Sequence, residues 1–273
     1  MSVLFSLSIC SKRSQNFISI LETIKDIPIV DANIKIGKTG LSLKTMDASH
    51  ISLLDLKLTN KYFDTYICNN DDNVIGINLI CLVKILKCGS REDSITLTQK
   101  SNSDYLDICI KNNVRSQEFN CPLMNLMSED LTPPEKEYDI TYAMRPDFLA
   151  TSLQNISVVE GDTITLNMGN NNFTLISKGD LGTTKIVLCG TDNLDNLSGK
   201  ENSTNYGFVV IEQPEDNQIS SMFTLHLFKN ISKSKSFSKK KVFISLEKDF
   251  PLKISYQILE NSYLNFHLAP KIE

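Results

Sequence analysis

The chain has 273 residues, 41% of them hydrophobic and 22% charged, and a formal net charge of -4. That is the balance of an ordinary globular chain, long enough for two domains with a core each, and it excludes a disordered polymer or a uniformly basic nucleic-acid binder. A local basic patch can still oppose the mean. Seven cysteines, an odd number with no C-x-x-C pair, give neither a disulfide framework nor a zinc site and fit a reducing compartment.

The opening MSVLFSLSIC reads as a first strand, since it lacks a basic start and is too short to span a bilayer. Residues 11–27 carry Phe17, Ile20, Leu21, Ile24 and Ile27 at helical spacing, so one stripe faces a core. Alternating runs at 33–36, 41–44, 51–58 and 62–68 read as a meander. Helical periodicity returns over 78–89, with Leu79, Leu82, Val83 and Leu86 as the buried stripe. Strands at 94–99, 105–110 and 115–121 complete the first half.

Residues 123–138 (LMNLMSEDLTPPEKEY) read as a connector, because the Pro133-Pro134 pair and four acids (Glu129, Asp130, Glu135, Glu137) suit neither a helix interior nor a central strand. Its apolar Leu123, Met124, Leu126, Met127, Leu131 and Tyr138 suggest that it lies against the domains it joins. The second half then repeats the first: a strand at 139–144, a helix with Pro146 in its first turn, strands at 163–168, 173–177, 184–188 and 206–213, a helix over 222–233, and strands at 242–247, 252–259 and 263–268. Residues 192–205 are a polar loop, and the lysines around 233–241 a basic turn. Asn-x-Ser/Thr sequons at Asn155, Asn172, Asn196, Asn202 and Asn230 carry no weight without an export signal. An internal duplication of α+β class follows, with domains at 1–122 and 139–273.

Charge points to a partner. Lys84, Lys87 and Arg91 share one helical face opposite the apolar stripe, and His226, Lys229 and Lys233 repeat that spacing at a constant offset of 142. Taken singly, either face is a solvated amphipathic surface. Two matching basic faces in an acidic chain suit a phosphate backbone, toward which lysines act as sequence-blind point charges. No aromatic residues interleave, so base stacking is not indicated. Asp47, Ser49 and His50 are too close in sequence to form a hydrolytic triad, and no phosphate loop or metal-ligand spacing appears. No cofactor, metal or catalytic residue is expected, and the chain reads as a non-enzyme.

The strings 43–53 (LKTMDASHISL), 63–66 (FDTY), 76–79 (GINL) and 84–88 (KILKC) with Glu92-Asp93, then 134–138 (PEKEY) and 268–273 (LAPKIE), closely resemble the eukaryotic DNA sliding clamp family, proliferating cell nuclear antigen (PCNA). The likeness covers essentially the whole chain, and the second half is more diverged. It implies the clamp fold: two similar domains, each with two helices packed on antiparallel sheets, joined by the connector, three copies forming a ring with helices inside around duplex DNA. On this likeness the ring confers processivity on a DNA polymerase in replication and serves as a docking platform for replication and repair proteins, in the nucleus or at a viral replication site.

The resemblance places Lys25, Lys84, Lys87, Arg115 and Lys233 on the DNA-facing surface, to which helical phase adds Arg91, His226 and Lys229. It implies head-to-tail closure of strand 115–121, with Phe119 at the seam, against Thr184, Lys185, Ile186, Val187 and Leu188 of the next copy. Polymerase, clamp loader and other partners carrying short PIP-type peptide motifs would dock on Met46, His50, Ile51, Leu53, Leu131, Pro134, Tyr138, Phe250, Pro251, Ala269, Pro270 and Ile272. Five positions depart from the family pattern: Ala150 and Leu153 where the family usually has arginine, Asn170 where it has a modified lysine, and Pro133 and His267 at the pocket edge. Other readings are a subunit of a heterotrimeric checkpoint-type clamp, a viral processivity factor without ring closure and, in another class, a DNA-processing hydrolase.

Overall fold

A computed structural model describes residues 2–27, 29–71, 73–127, 131–132, 136–190, 207–213, 218–232 and 241–271. The chain divides into two compact units, the first comprising Met1–Ala48, Leu54–Thr132 and Leu259–Leu264, the second Ser49–Leu53, Pro133–Ile258 and Asn265–Glu273.

The first unit begins with β1 (Val3–Ile9), whose alternate Phe5, Leu7 and Ile9 are buried. Helix α1 (Ser11–Asp26) buries Phe17, Ile20, Leu21 and Ile24 along one stripe. Its C-cap Ile27 is extended, as the residue before a proline must be. Strands β2 (Asp31–Gly37), β3 (Gly40–Met46) and β4 (Ser52–Thr59) follow. The strand expected over 62–68 is shortened to β5 (Thr65–Cys68), because a 3₁₀ turn at Asn60–Tyr62 leads into Phe63 and sets the Tyr62 and Phe63 rings 5.4 Å apart in an edge-on contact. A strand not anticipated, β6 (Asn73–Asn78), feeds α2 (Leu79–Leu86), whose first turn is closed by the Asn78 side chain accepting from the Cys81 amide at 2.9 Å. Strands β7 (Ser94–Lys100), β8 (Tyr105–Lys111) and β9 (Ser116–Met124) complete it.

The second unit runs β10 (Ile140–Met144), α3 (Pro146–Ile156), β11 (Thr163–Gly169), β12 (Asn172–Gly179), β13 (Gly182–Cys189), β14 (Phe208–Glu212), β15 (Gln218–Thr224), α4 (Leu225–Ile231), β16 (Val242–Leu246), β17 (Leu252–Leu259) and β18 (Ser262–Leu268). Residues 222–224, expected in the helix, belong to β15, where they pair with Thr163, Ile164 and Thr165 of β11, so α4 is shorter than its periodicity indicates.

Both units share one plan: strand, helix, five strands, helix, three strands. The strand order matches as well. β4-β3-β2-β6 and β9-β8-β7-β1-β5 in the first unit correspond to β13-β12-β11-β15 and β18-β17-β16-β10-β14 in the second. The duplication is therefore one of topology, and the α+β class stands. The two copies differ at one join. β6 pairs with β9 at Gly76↔Met124 and Ile77↔Leu123, an approach so close that a Cβ on Gly76 would meet the Met124 carbonyl oxygen at 2.3 Å. In the second copy Met222 lies three residues before the start of α4, as Gly76 lies three before the start of α2, and one bond from the Lys271 amide to the Met222 carbonyl (2.7 Å) takes the place of that pairing. In each unit the two helices pack on one another, α1 on α2 and α3 on α4.

Candidate functional site

The cations read from the sequence are placed in different ways. Lys84 is exposed on α2 and has no carboxylate partner among the described residues. Lys87, at the C-cap of α2, is exposed and forms an ion pair with Glu22 of α1, whose hydrogen bond and charge raise the lysine's pKa. Lys25 sits in the last turn of α1, 3.8 Å from Asp26. Arg91 is not on the helix face expected for it, since α2 ends at Leu86 and Arg91 falls in the turn beyond.

Arg115, between β8 and β9, donates to Asp93 Oδ2 at 3.0 Å and to the Cys88 carbonyl at 3.3 Å. Asp93 is buried and also accepts from the Ser90 amide (2.8 Å) and from Asn112 Nδ2 (2.5 Å). The Ser90 amide, with Arg115 and Asn112 behind it, holds this carboxyl down at about 2 against the opposing effect of burial. Arg115 thus closes the loop after α2.

In the second unit the constant offset of 142 does not carry over to the helices. α2 and α4 begin at Leu79 and Leu225, which are 225 − 79 = 146 apart, so Lys84 is the sixth residue of its helix and His226 the second of its own. His226 Nε2 lies 3.2 Å from Asn230 Nδ2, and Lys229 donates to Ser157 Oγ at 3.1 Å, just after α3. Lys233 lies outside the described residues. Ala150 and Leu153, matched to arginine positions by resemblance, both face the core, and the exposed positions of α3 are Thr151, Gln154 and Asn155. No basic side chain is exposed on that helix. Asn170 occupies the β11–β12 turn, where it and Asn171 both have positive φ, as a two-residue hairpin loop requires.

Of the strand edges left open among the described residues, two belong to the strands expected at the seam between copies. β9 pairs with β8 along 116–122 and with β6 only at Leu123 and Met124, leaving the second edge around half-buried Phe119 without a partner. β13 is the outermost strand of its sheet and pairs only with β12. Along it Val187 is 51% exposed, whereas Leu188 points into the core. Open edges of this kind are templates for pairing with another chain.

The residues named for partner docking are divided between the units. In the first, Met46 and Leu131 line a groove of about 470 Å³ with Lys35, Lys44 and Met127. In the second, Ala269 donates its amide to the Ile51 carbonyl at 2.8 Å, so the tail after β18 runs beside the segment carrying His50, Ile51 and Leu53. His50 takes a left-handed conformation (φ 56) and is exposed, whereas Leu53 is buried. Tyr138 meets Phe250 edge-on at 5.6 Å, with Lys136 over the Phe250 ring and Lys253 over the Tyr138 ring. Lys136 is anchored by Glu247 at 2.8 Å. Pro251, Ala269 and Pro270 are half-buried, and Pro134 and Ile272 lie outside the described residues, as does Pro133.

His267 is 4% exposed, and neither ring nitrogen has a hydrogen-bond partner among the described residues. Burial, and then the charge of Lys253, push its pKa down to about 4. The buried Tyr138 hydroxyl is likewise without a partner there. Among the described residues no group of three or more His, Cys, Asp and Glu side chains is placed to hold a metal.

Sequence reasoning missed Glu22, Asp93 and the lysine pair at 35 and 44. The first two are identified only by what they touch across the fold. The third was signalled by the i, i+2 alternation of β2 and β3, which puts both lysines on the face opposite the core.

Two family models match this chain. The proliferating cell nuclear antigen N-terminal domain covers residues 12–132 and the C-terminal domain residues 132–271. With the duplicated α+β plan on which they fall, they place the chain in the proliferating cell nuclear antigen family, the sliding clamps of DNA polymerases, whose members bind DNA, themselves and polymerase partners.

Proposed function

We propose that three copies of this chain close head to tail into a ring around duplex DNA and hold a polymerase on its template. The observation that carries the reading is the pair of open edges. β9 of one copy and β13 of the next each lack a neighbour, and antiparallel pairing between them generates a heterologous contact that closes when the rotation is a third of a turn. The exposed lysines of α2, with Lys25, Arg91, Arg115, Lys229 and Lys233, supply positive charge toward a threaded backbone, and His226 joins them as a polar contact. A surface of this kind binds without reading bases. Topological closure then converts dissociation into sliding and keeps polymerase at high local concentration.

In this reading residues 123–138 act as the connector between clamp domains at 1–122 and 139–273, and partners with short PIP-type motifs dock on the apolar residues of each unit described above. The chain acts without catalysis, in the nucleus or at a viral replication site.

Native mass measurement is the direct test. A trimer is expected, and a strict monomer under DNA-binding conditions overturns the ring. Lys84→Ala with Lys87→Ala is expected to weaken retention on DNA while leaving the trimer intact. Loss of the trimer instead would reassign these lysines to folding.

A further inference from the structure

The groove of the first unit carries a charge pattern that the docking motif alone does not use. β2 and β3 pair with Ile34 opposite Leu43 and Lys35 opposite Ser42. Ile34, Ile36, Leu41 and Leu43 are buried on one face, so Asn33, Lys35, Ser42 and Lys44 stand on the other. Lys35 and Lys44 are diagonal neighbours across the pair, a spacing of about 7–8 Å between backbones that lets both side chains reach one ligand. Both are exposed, and neither has a carboxylate partner among the described residues.

The opposite wall is the chain leaving β9, held where Asn33 Nδ2 donates to the Met127 carbonyl at 3.2 Å. It presents Met127, 95% exposed, across from Met46. Unbranched thioethers on two sides make an adaptable apolar rim. Asp31 is the one acid among the described lining residues, and its carboxylate accepts from Asn78 Nδ2 at 2.7 Å, so among those residues two cations outweigh one anion.

We infer that this groove selects among docking partners by charge: it takes an extended peptide in which carboxylate side chains flank the apolar docking motif, with Lys35 and Lys44 meeting the carboxylates and Met46 and Met127 covering the neighbouring apolar residue. The inference rests on the docking reading above and adds to it the chemistry of the flank. A nucleic-acid backbone fits less well, because two lysines between methionines offer little to a continuous phosphate track.

The test uses fluorescein-labelled peptides with one aliphatic-and-two-aromatic motif, flanked on either side by aspartates, by serines or by lysines, titrated against the full chain by anisotropy. The aspartate flank is expected to bind about three- to tenfold more tightly than the serine flank at low salt, as two partly screened ion pairs allow. That advantage is expected to vanish at high salt and in the Lys35→Ser, Lys44→Ser double variant, which binds the serine-flanked peptide as the parent does. Lys35→Arg, Lys44→Arg should retain it. An aspartate flank that gives no gain, or a gain that survives the double serine variant, overturns the inference while leaving docking intact. Failure of all the peptides to bind the parent chain would overturn the docking reading itself, and the inference with it.

Discussion

Lys87 and Glu22 form an ion pair that ties the C-cap of α2 to α1, so one of the cations expected to face phosphate is already met by a carboxylate inside its own unit. Both groups are partly exposed, and a pair of that kind contributes only about 0–1 kcal/mol to stability. Its larger effect is on the field that DNA would meet. Glu22→Gln should therefore leave the melting temperature nearly unchanged and strengthen DNA retention. The salt dependence of binding should steepen by up to about one counterion as Lys87 is released. Anisotropy on duplex DNA across a salt series measures this, and weaker binding by the variant would contradict it.

Asp93 and Arg115 give the opposite case, a charge committed to structure. Asp93 is 1% exposed and accepts from Ser90, Asn112 and Arg115. Asp93→Asn is expected to cost about 1–3 kcal/mol in urea unfolding. The carboxyl is held at about 2 in the folded chain and is ordinary, about 3.9, when unfolded. Its contribution is thus complete above about pH 4 and is lost as pH falls through 2, since the unfolded state binds the proton first. The asparagine variant should lack that part of the acid slope.

The open edges of β9 and β13 make a paired prediction. A charge placed on an edge strand blocks pairing without disturbing its own sheet. Phe119→Asp on β9 or Val187→Asp on β13 should each reduce native mass from trimer to monomer. Circular dichroism should stay near that of the parent, because both positions retain solvent exposure in the single chain.

His267 tests burial rather than charge. Its ring is nearly inaccessible and both nitrogens lack partners among the described residues, so the imidazole is held neutral with its pKa lowered to about 4. In the unfolded chain it titrates near 6.5. Between these values the unfolded state binds the extra proton, so stability from this group is full above about pH 6.5 and falls as pH drops toward 4. His267→Phe is expected to flatten the slope in that window and to stabilise the chain at pH 5 by about 1 kcal/mol or more, as burying a polar group without partners is unfavourable.

Local pattern was enough to read most of the architecture. Phe17, Ile20, Leu21 and Ile24 announced α1 because a helix repeats every 3.6 residues, and the alternation in β2 and β3 announced strands because a pleat repeats every two. The repetition of that grammar revealed the duplication, and the MDASH and LAPKIE strings pointed to the family. Periodicity failed where two elements share a boundary. Residues 222–224 carry apolar side chains acceptable to helix or strand, and only their pairing with β11 decided the matter.

What the chain determined by itself, then, was its elements, its repeat and the identity of its basic residues, all of which depend on neighbours within a few positions. Which of those cations stand free was decided only by tertiary packing. Lys87 meets Glu22 from 65 residues earlier (87 − 22), and Arg115 meets Asp93 from 22 residues earlier (115 − 93). Lys84 meets no carboxylate among the described residues. Coulomb interactions depend on distance through space, and a linear sequence does not contain that distance until the sheets have brought its parts together.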